Sequence, residues 1–122
     1  MTGIAAANLI FDGLVVYAGK YSDAAGTLSD PRYFIGKDTL FDYGELLDIC
    51  IEDGVFDKMS GNEAAQWVIN NISQKRRGCL AFADEQDTNG YPKIAENLRF
   101  SGKVYAHFAS AISDRIDSGF FN

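Results

Sequence analysis

The sequence predicts a mainly α fold, a small single-domain bundle of four or five helices built from residues 1–122. Three observations carry that expectation. Apolar residues recur at steps of three and four through 39–53, 61–75 and 102–117, the spacing that gathers them on one side of a helix. Each of these segments is bounded by residues that start or stop helices. The composition is 47% hydrophobic and 13% aromatic, enough for one core, whereas two domains of roughly 60 residues would each be marginal. The alternative is α+β, with 9–17, 33–35 and 79–83 supplying a small sheet.

Residues 3–21 support two readings. Ala6, Ile10, Leu14, Tyr17 and Tyr21 share a helical face that Thr2 can cap. Asp12-Gly13, set between Leu9-Ile10-Phe11 and Leu14-Val15-Val16-Tyr17, is instead a hairpin-turn signal. The alanine run and the unbroken spacing favour the helix. Residues 22–37 read as a linker, with Gly26 and Asp30-Pro31 as turn signals and Tyr33-Phe34-Ile35 as a short strand or an apolar tuck.

The helix over 39–53 is the most readable. Asp38 suits its N-cap, Leu40, Tyr43, Leu47, Cys50 and Ile51 form its inner face with Leu46 at the edge, and Gly54 suits the position just past its end. Ser60 and Glu63 form a Ser-x-x-Glu capping box for 61–75, where Ala64, Ala65, Val68, Ile69 and Ile72 face inward and Trp67 flanks them. Lys75-Arg76-Arg77 then fall in the last turn, where cations complement the helix dipole, and Gly78 ends the helix. That role is expected for the basic cluster in preference to a phosphate site. Cys79 to Ala83 read as a strand or short helix, and Asp84 to Tyr91 as a polar loop. Pro92 suits the first position of a short helix reaching Leu98. Ser101 caps the last helix, 102–117, which turns Val104, Tyr105, Phe108, Ala111, Ile112 and Ile116 inward. Gly119 stops it, and Phe120-Phe121 fold back over apolar surface.

Eleven Lys and Arg stand against seventeen Asp and Glu, a formal charge of −6 with a pI near 4.6. Direct binding to nucleic acid or to anionic lipid is disfavoured, because both need cations to neutralise phosphates. The N-terminus lacks the basic start of a secretory leader and Asp12 interrupts its apolar stretch, so no leader is expected, and no run of about 18 apolar residues occurs, so no membrane span is expected. Two cysteines in apolar stretches, Cys50 and Cys79, read as reduced small hydrophobes of a cytoplasmic protein.

No motif names a reaction. His107 is the one histidine and lacks a neighbouring nucleophile motif, and one His with two distant Cys matches no zinc spacing. Glu85, Asp87, Asn89, Gly90 and Glu96 resemble an EF-hand loop in spacing, but Glu holds position 1 and Pro92 holds position 8, so an Asn-Gly turn is preferred. No catalytic residue, metal ligand or cofactor is assigned.

The distribution of acid is more informative. From 38 to 57 the chain carries Asp38, Asp42, Glu45, Asp48, Glu52, Asp53 and Asp57 with no Lys or Arg among them. On helix 39–53, Asp38, Asp42, Glu45, Asp48 and Glu52 fall opposite the core face, and Phe41 and Ile49 project among them. Apolar anchors rimmed by charge form an interface pattern, unless another stretch such as 22–37 covers the two side chains. The expected function is a non-catalytic protein that binds and inhibits a basic partner protein, such as a nucleic-acid-handling enzyme. Small acidic immunity proteins and phage-encoded inhibitors of host defence act in this way, an analogy of size and charge alone. The alternative is a small-molecule or nucleotide-binding regulatory domain, homodimeric in one version, with Tyr33, Phe34, Trp67, Tyr91 and Tyr105 lining a pocket.

Overall fold

Four helices make up nearly all of the computed structural model, which describes residues 1–27, 30 and 32–122: α1 (Gly3–Thr27), α2 (Arg32–Glu52), α3 (Gly61–Thr88) and α4 (Pro92–Asp117). No strand occurs among the described residues; one isolated bridge, Thr2 to Ser60, is the only β pairing. The mainly α expectation therefore holds with four helices, and the sheet alternative is not needed.

Local chemistry sets most of the ends. The Thr2 hydroxyl accepts the Ala5 N–H at 3.1 Å and caps α1. Ser60 Oγ accepts the Glu63 N–H while Glu63 Oε1 accepts the Ser60 N–H, so the capping box of α3 is complete. Pro92 stands at the start of α4. Gly54, Gly90 and Gly119 each follow a helix with φ near +80°, at 82°, 85° and 77°. The residue after each glycine donates its N–H to the carbonyl five positions back: Val55 to Cys50, Tyr91 to Gln86 and Phe120 to Arg115. These bonds satisfy carbonyls that the helix leaves open, in a conformation that costs any other residue more.

The helices are longer than the sequence reading expects. Of the linker expected over 22–37, residues 22–27 and 32–37 are helical instead, and residues 28, 29 and Pro31 lie outside the described residues. Helix α1 runs to Thr27 and α2 starts at Arg32, so Tyr33-Phe34-Ile35 are helical. Asp38 is accordingly in mid-helix and not at an N-cap. The capping part falls to Asp30, whose carboxylate accepts the Arg32 N–H at 3.0 Å. Its Arg32 hydrogen bonds, side chain before backbone, hold that carboxyl below its ordinary range. Gly78 does not end α3, because it keeps negative φ and the helix continues to Thr88. Lys75, Arg76 and Arg77 are thus far from any helix terminus, and the dipole account of them fails. The loop expected at 84–91 shrinks to Asn89-Gly90-Tyr91, and α4 is continuous from Pro92, with Ser101 inside it. Glu85 and Asp87 lie on α3 and Glu96 on α4, so the calcium-like spacing spans two helices and a tight turn.

Packing produces two antiparallel hairpins laid against each other. Gly36 and Gly44 of α2 lie against Tyr21 and Leu14 of α1, and a Cβ at Gly36 would collide with the Tyr21 ring. In the second hairpin Gly102 of α4 lies against Leu80 of α3, and Arg99 reaches Asp84 and Asp87 at 2.9 and 2.6 Å. Helix α1 packs on α3 with their starts side by side, fixed by Gly3 N–H to Met59 and Gly61 N–H to Met1. Helix α2 packs on α4 through Thr39 to Ser101 at 2.9 Å and Tyr43 against Tyr105. One core joins all four, with Leu14, Leu40, Leu47, Val68, Ile72 and Val104 almost fully buried. The 53–60 loop and the C-terminus add Phe56 and Phe121, and Trp67 packs edge-on to Phe56 with ring centroids 5.1 Å apart. Burying each such side chain contributes about 1.5–3 kcal/mol.

The reading of 3–21 as a helix therefore stands over the hairpin. Residues 3–24 of α1 are long and apolar enough, by length and composition alone, to cross a bilayer, a test that core helices pass as well. The sequence expectation of no span rests on the lack of an uninterrupted apolar run, which Asn8 and Asp12 break. In the bundle, Ala6, Ala7, Ile10, Leu14 and Ala18 of this helix face the core.

Candidate functional site

On α2 the core residues Gly36, Leu40, Tyr43, Gly44 and Leu47 define one buried side. At about 100° per residue, Asp38, Phe41, Asp42, Glu45, Asp48, Ile49 and Glu52 occupy an opposite arc of about 120°. All seven are exposed, Phe41 at 43% and Ile49 at 54%, so no described segment of the chain covers them. Asp38 lies 3.7 Å from Lys37 across solvent-exposed surface. Asp42, Glu45, Asp48 and Glu52 have no ion pair and no side-chain hydrogen bond among the described residues. The stripe is therefore a line of carboxylates with two apolar side chains set into it.

The structure adds a part that the α2 periodicity does not contain. Phe41, Glu45 and Asp48 border a shallow groove of about 260 Å³ between α1 and α2, whose other wall is Phe11, Leu14 and Val15. Gly44 keeps the helices close there, its Cα side facing Leu14 and Phe11. Phe11 and Val15 are four residues apart, a visible helical pair, but nothing in the sequence assigns them to the neighbourhood of Phe41. That pairing depends on how the α1–α2 hairpin closes.

Two further grooves lie elsewhere. One of about 390 Å³ runs between α1 and α4, which barely touch, and is lined by Ile10, Val16, Tyr17, Phe108, Ile112 and Phe121 among others, with Asp12, Lys20 and Arg115 at its edges. The other, of about 320 Å³, lies between α3 and α4. The five aromatics expected to share a pocket do not converge. Tyr33 packs near Tyr21, Trp67 on Phe56 and Tyr105 on Tyr43, while Phe34 and Tyr91 are exposed.

The titratable groups are arranged for packing. The Tyr43 hydroxyl donates to Asn71 Oδ1 at 2.9 Å, and burial raises its pKa well above the tyrosine range. Burial, with smaller contributions from Cys79 and Asp42, raises Tyr105 to about 12. Burial also pushes the Cys50 and Cys79 thiols up, with Asp53 adding to Cys50 and Lys75 partly opposing both. Neither thiol is poised as a thiolate nucleophile. His107 is exposed on α4. Among the described residues no group of three His, Cys, Asp or Glu side chains could hold a metal ion.

Fold and surface thus define a four-helix α protein with an acidic face on α2, four of whose five carboxylates have no ion pair among the described residues. No protein-family model matches the sequence, and neither curated proteins nor solved structures give a match.

Proposed function

We propose that this chain is a non-catalytic binding protein that engages a basic partner protein through the outer face of α2. The observation that carries the reading is the exposed stripe of Asp38, Asp42, Glu45, Asp48 and Glu52, with Phe41 and Ile49 exposed among them and, among the described residues, no cation paired to the last four acids. Like charges at i,i+4 on a helix destabilise it by roughly 0.2–0.5 kcal/mol per pair, and both Asp38–Asp42 and Asp48–Glu52 have that spacing. A cationic partner removes this repulsion. Phe41 and the α1–α2 groove supply an apolar centre, and the carboxylates supply a rim that steers encounter. A partner whose cationic surface handles nucleic acid would lose access to phosphate while covered, so binding would inhibit it.

The test is capture followed by kinetics. Wild-type protein, Asp42→Lys with Asp48→Lys, and an off-face control of Asp114→Lys with Asp117→Lys are compared as baits. A basic protein retained by wild type and control but lost by the α2 double variant supports the reading. Its association rate should fall steeply with salt. Equal capture and equal rates for all three baits would remove the acidic face from consideration.

A further inference from the structure

The basic cluster Lys75-Arg76-Arg77 sits in the middle of α3, where no helix dipole explains it. Arg76 turns into the groove between α3 and α4, which is lined on the same side by Ser73 and, from α4, by Ser110 and Ser113. Ser73 and Arg76 are one turn apart on α3, and Ser110 and Ser113 are one turn apart on α4. Ile69, Ile72, Ala106 and Ala109 complete an apolar floor. No Asp or Glu lines this groove.

The polar groups there are unengaged. Helical Ser and Thr hydroxyls commonly bond the carbonyl four residues back. Thr39 and Thr88 do so, to Ile35 at 2.7 Å and Asp84 at 3.1 Å. Ser73, Ser110 and Ser113 make no side-chain hydrogen bond among the described residues. Arg32 and Arg99 are held by aspartates, whereas Arg76, like Arg77, has no ion pair among the described residues. A guanidinium and three hydroxyls lining one groove with an apolar floor match an oxyanion carried on an apolar body. The planar fork of Arg bonds a phosphate through two N–H groups, and serine hydroxyls donate to the remaining oxygens. The volume falls at the lower end of the range for small-ligand sites.

We propose that the α3–α4 groove binds a small phosphate monoester, its phosphate on Arg76 and the serines and its apolar part on Ile69, Ile72, Ala106 and Ala109. The site is independent of the α2 face. The experiment is an amide-resolved NMR titration of the full chain with phenyl phosphate, inorganic phosphate and phenol. Phenyl phosphate should saturably shift amides within 69–76 and 105–113, inorganic phosphate should shift the same set more weakly, and phenol should bind at least about tenfold more weakly. Arg76→Gln should weaken phenyl phosphate by at least about tenfold, the loss of one charge-assisted contact. Arg77→Gln removes the same charge outside the groove and should change affinity less than about twofold. Ser110→Ala, a second variant at an exposed position, should weaken it a few-fold. Equal losses for Arg76→Gln and Arg77→Gln would overturn the proposal in favour of diffuse attraction. So would phenol binding as tightly as phenyl phosphate, no saturable shift at about 10 mM ligand, or shifts outside the groove. A single-stranded oligonucleotide that displaces phenyl phosphate in an Arg77-dependent manner would overturn it too, since the phosphate source would then be a polymer.

Discussion

The α1–α2 hairpin turns Phe41, Glu45 and Asp48 along its outer groove, while the α3–α4 hairpin turns Arg76, Ser73 and Ser110 along its own. Both grooves arise from the same construction. Two antiparallel helices pack inward on a shared core, and small residues such as Gly44 and Ala106 leave a channel on the far side. Their floors are equivalent, because Leu14 under the first and Ile72 under the second are both core residues. Their rims differ in sign. A net charge of −6 is therefore not spread evenly: the acid is concentrated along α2, and Lys75, Arg76 and Arg77, which have no ion pair among the described residues, stand together on α3. The comparison teaches that this scaffold leaves rim residues free to vary while floor residues answer to the core.

That division is tested most severely at the floors. Leu14→Ala and Ile72→Ala should each lower unfolding free energy by about 2–5 kcal/mol, since each opens a cavity at a site with no exposure to relax into. Denaturant titration should show a lower midpoint with an unchanged slope. A loss under about 1 kcal/mol at either position would mean that hairpin does not share the core.

The rims should behave in the opposite way. Asp42→Lys with Asp48→Lys should slow association with the basic partner at least about tenfold at low salt. It should preserve or raise the melting temperature, by a few tenths of a kcal/mol of relieved repulsion. Phe41→Ala should act on dissociation instead, as an anchor does. A fall in melting temperature for the double charge variant would show that the acids hold the fold together and do not merely face outward.

Smaller effects sharpen how the hairpins are joined. Thr39 bonds both Ile35 and Ser101, the latter across the hairpin boundary. Thr39→Val keeps the volume and removes both bonds, at a cost of about 1 kcal/mol by thermal unfolding. Tyr105, raised to about 12 by burial, lines the α3–α4 groove and packs on Tyr43. Its folded pKa lies above its ordinary value near 10, so the folded state holds the proton more tightly. Its contribution is fully present below pH 10 and is lost as pH rises through 12. Alkaline unfolding monitored by circular dichroism should begin in that window, and Tyr105→Phe should move its onset upward. An unchanged onset would assign the transition to the other tyrosines that burial raises, Tyr43 and Tyr21.

Much of the acidic face was legible in advance. The seven residues from Asp38 to Glu52 could be placed on one arc because helical periodicity depends on spacing alone. The core side of α2, the capping box at Ser60 and Glu63, and the stops at Gly54 and Gly119 were legible for the same reason: each is a bond or a wheel position within a few residues. The groove partners Phe11 and Val15 were not legible, since their nearness to Phe41 spans about thirty residues of sequence and depends on hairpin closure.

The sequence by itself determined the helical class, the local caps and stops, and which side of α2 carries acid. These follow from short-range sterics and hydrogen bonding that any surrounding fold would feel. Only the tertiary structure decided how far each helix runs and what the basic cluster faces. Gly78 and Ser101 are a stop signal and a cap signal in isolation, yet α3 and α4 pass through them. Leu80 against Gly102, Thr39 against Ser101 and the alanines Ala83 and Ala95 buried nearby make continued helix more favourable than a turn. The same packing carried Arg76 away from a helix end and into a groove of serines, because the burial energy of a long hairpin outweighs the roughly 1 kcal/mol by which a glycine disfavours helix.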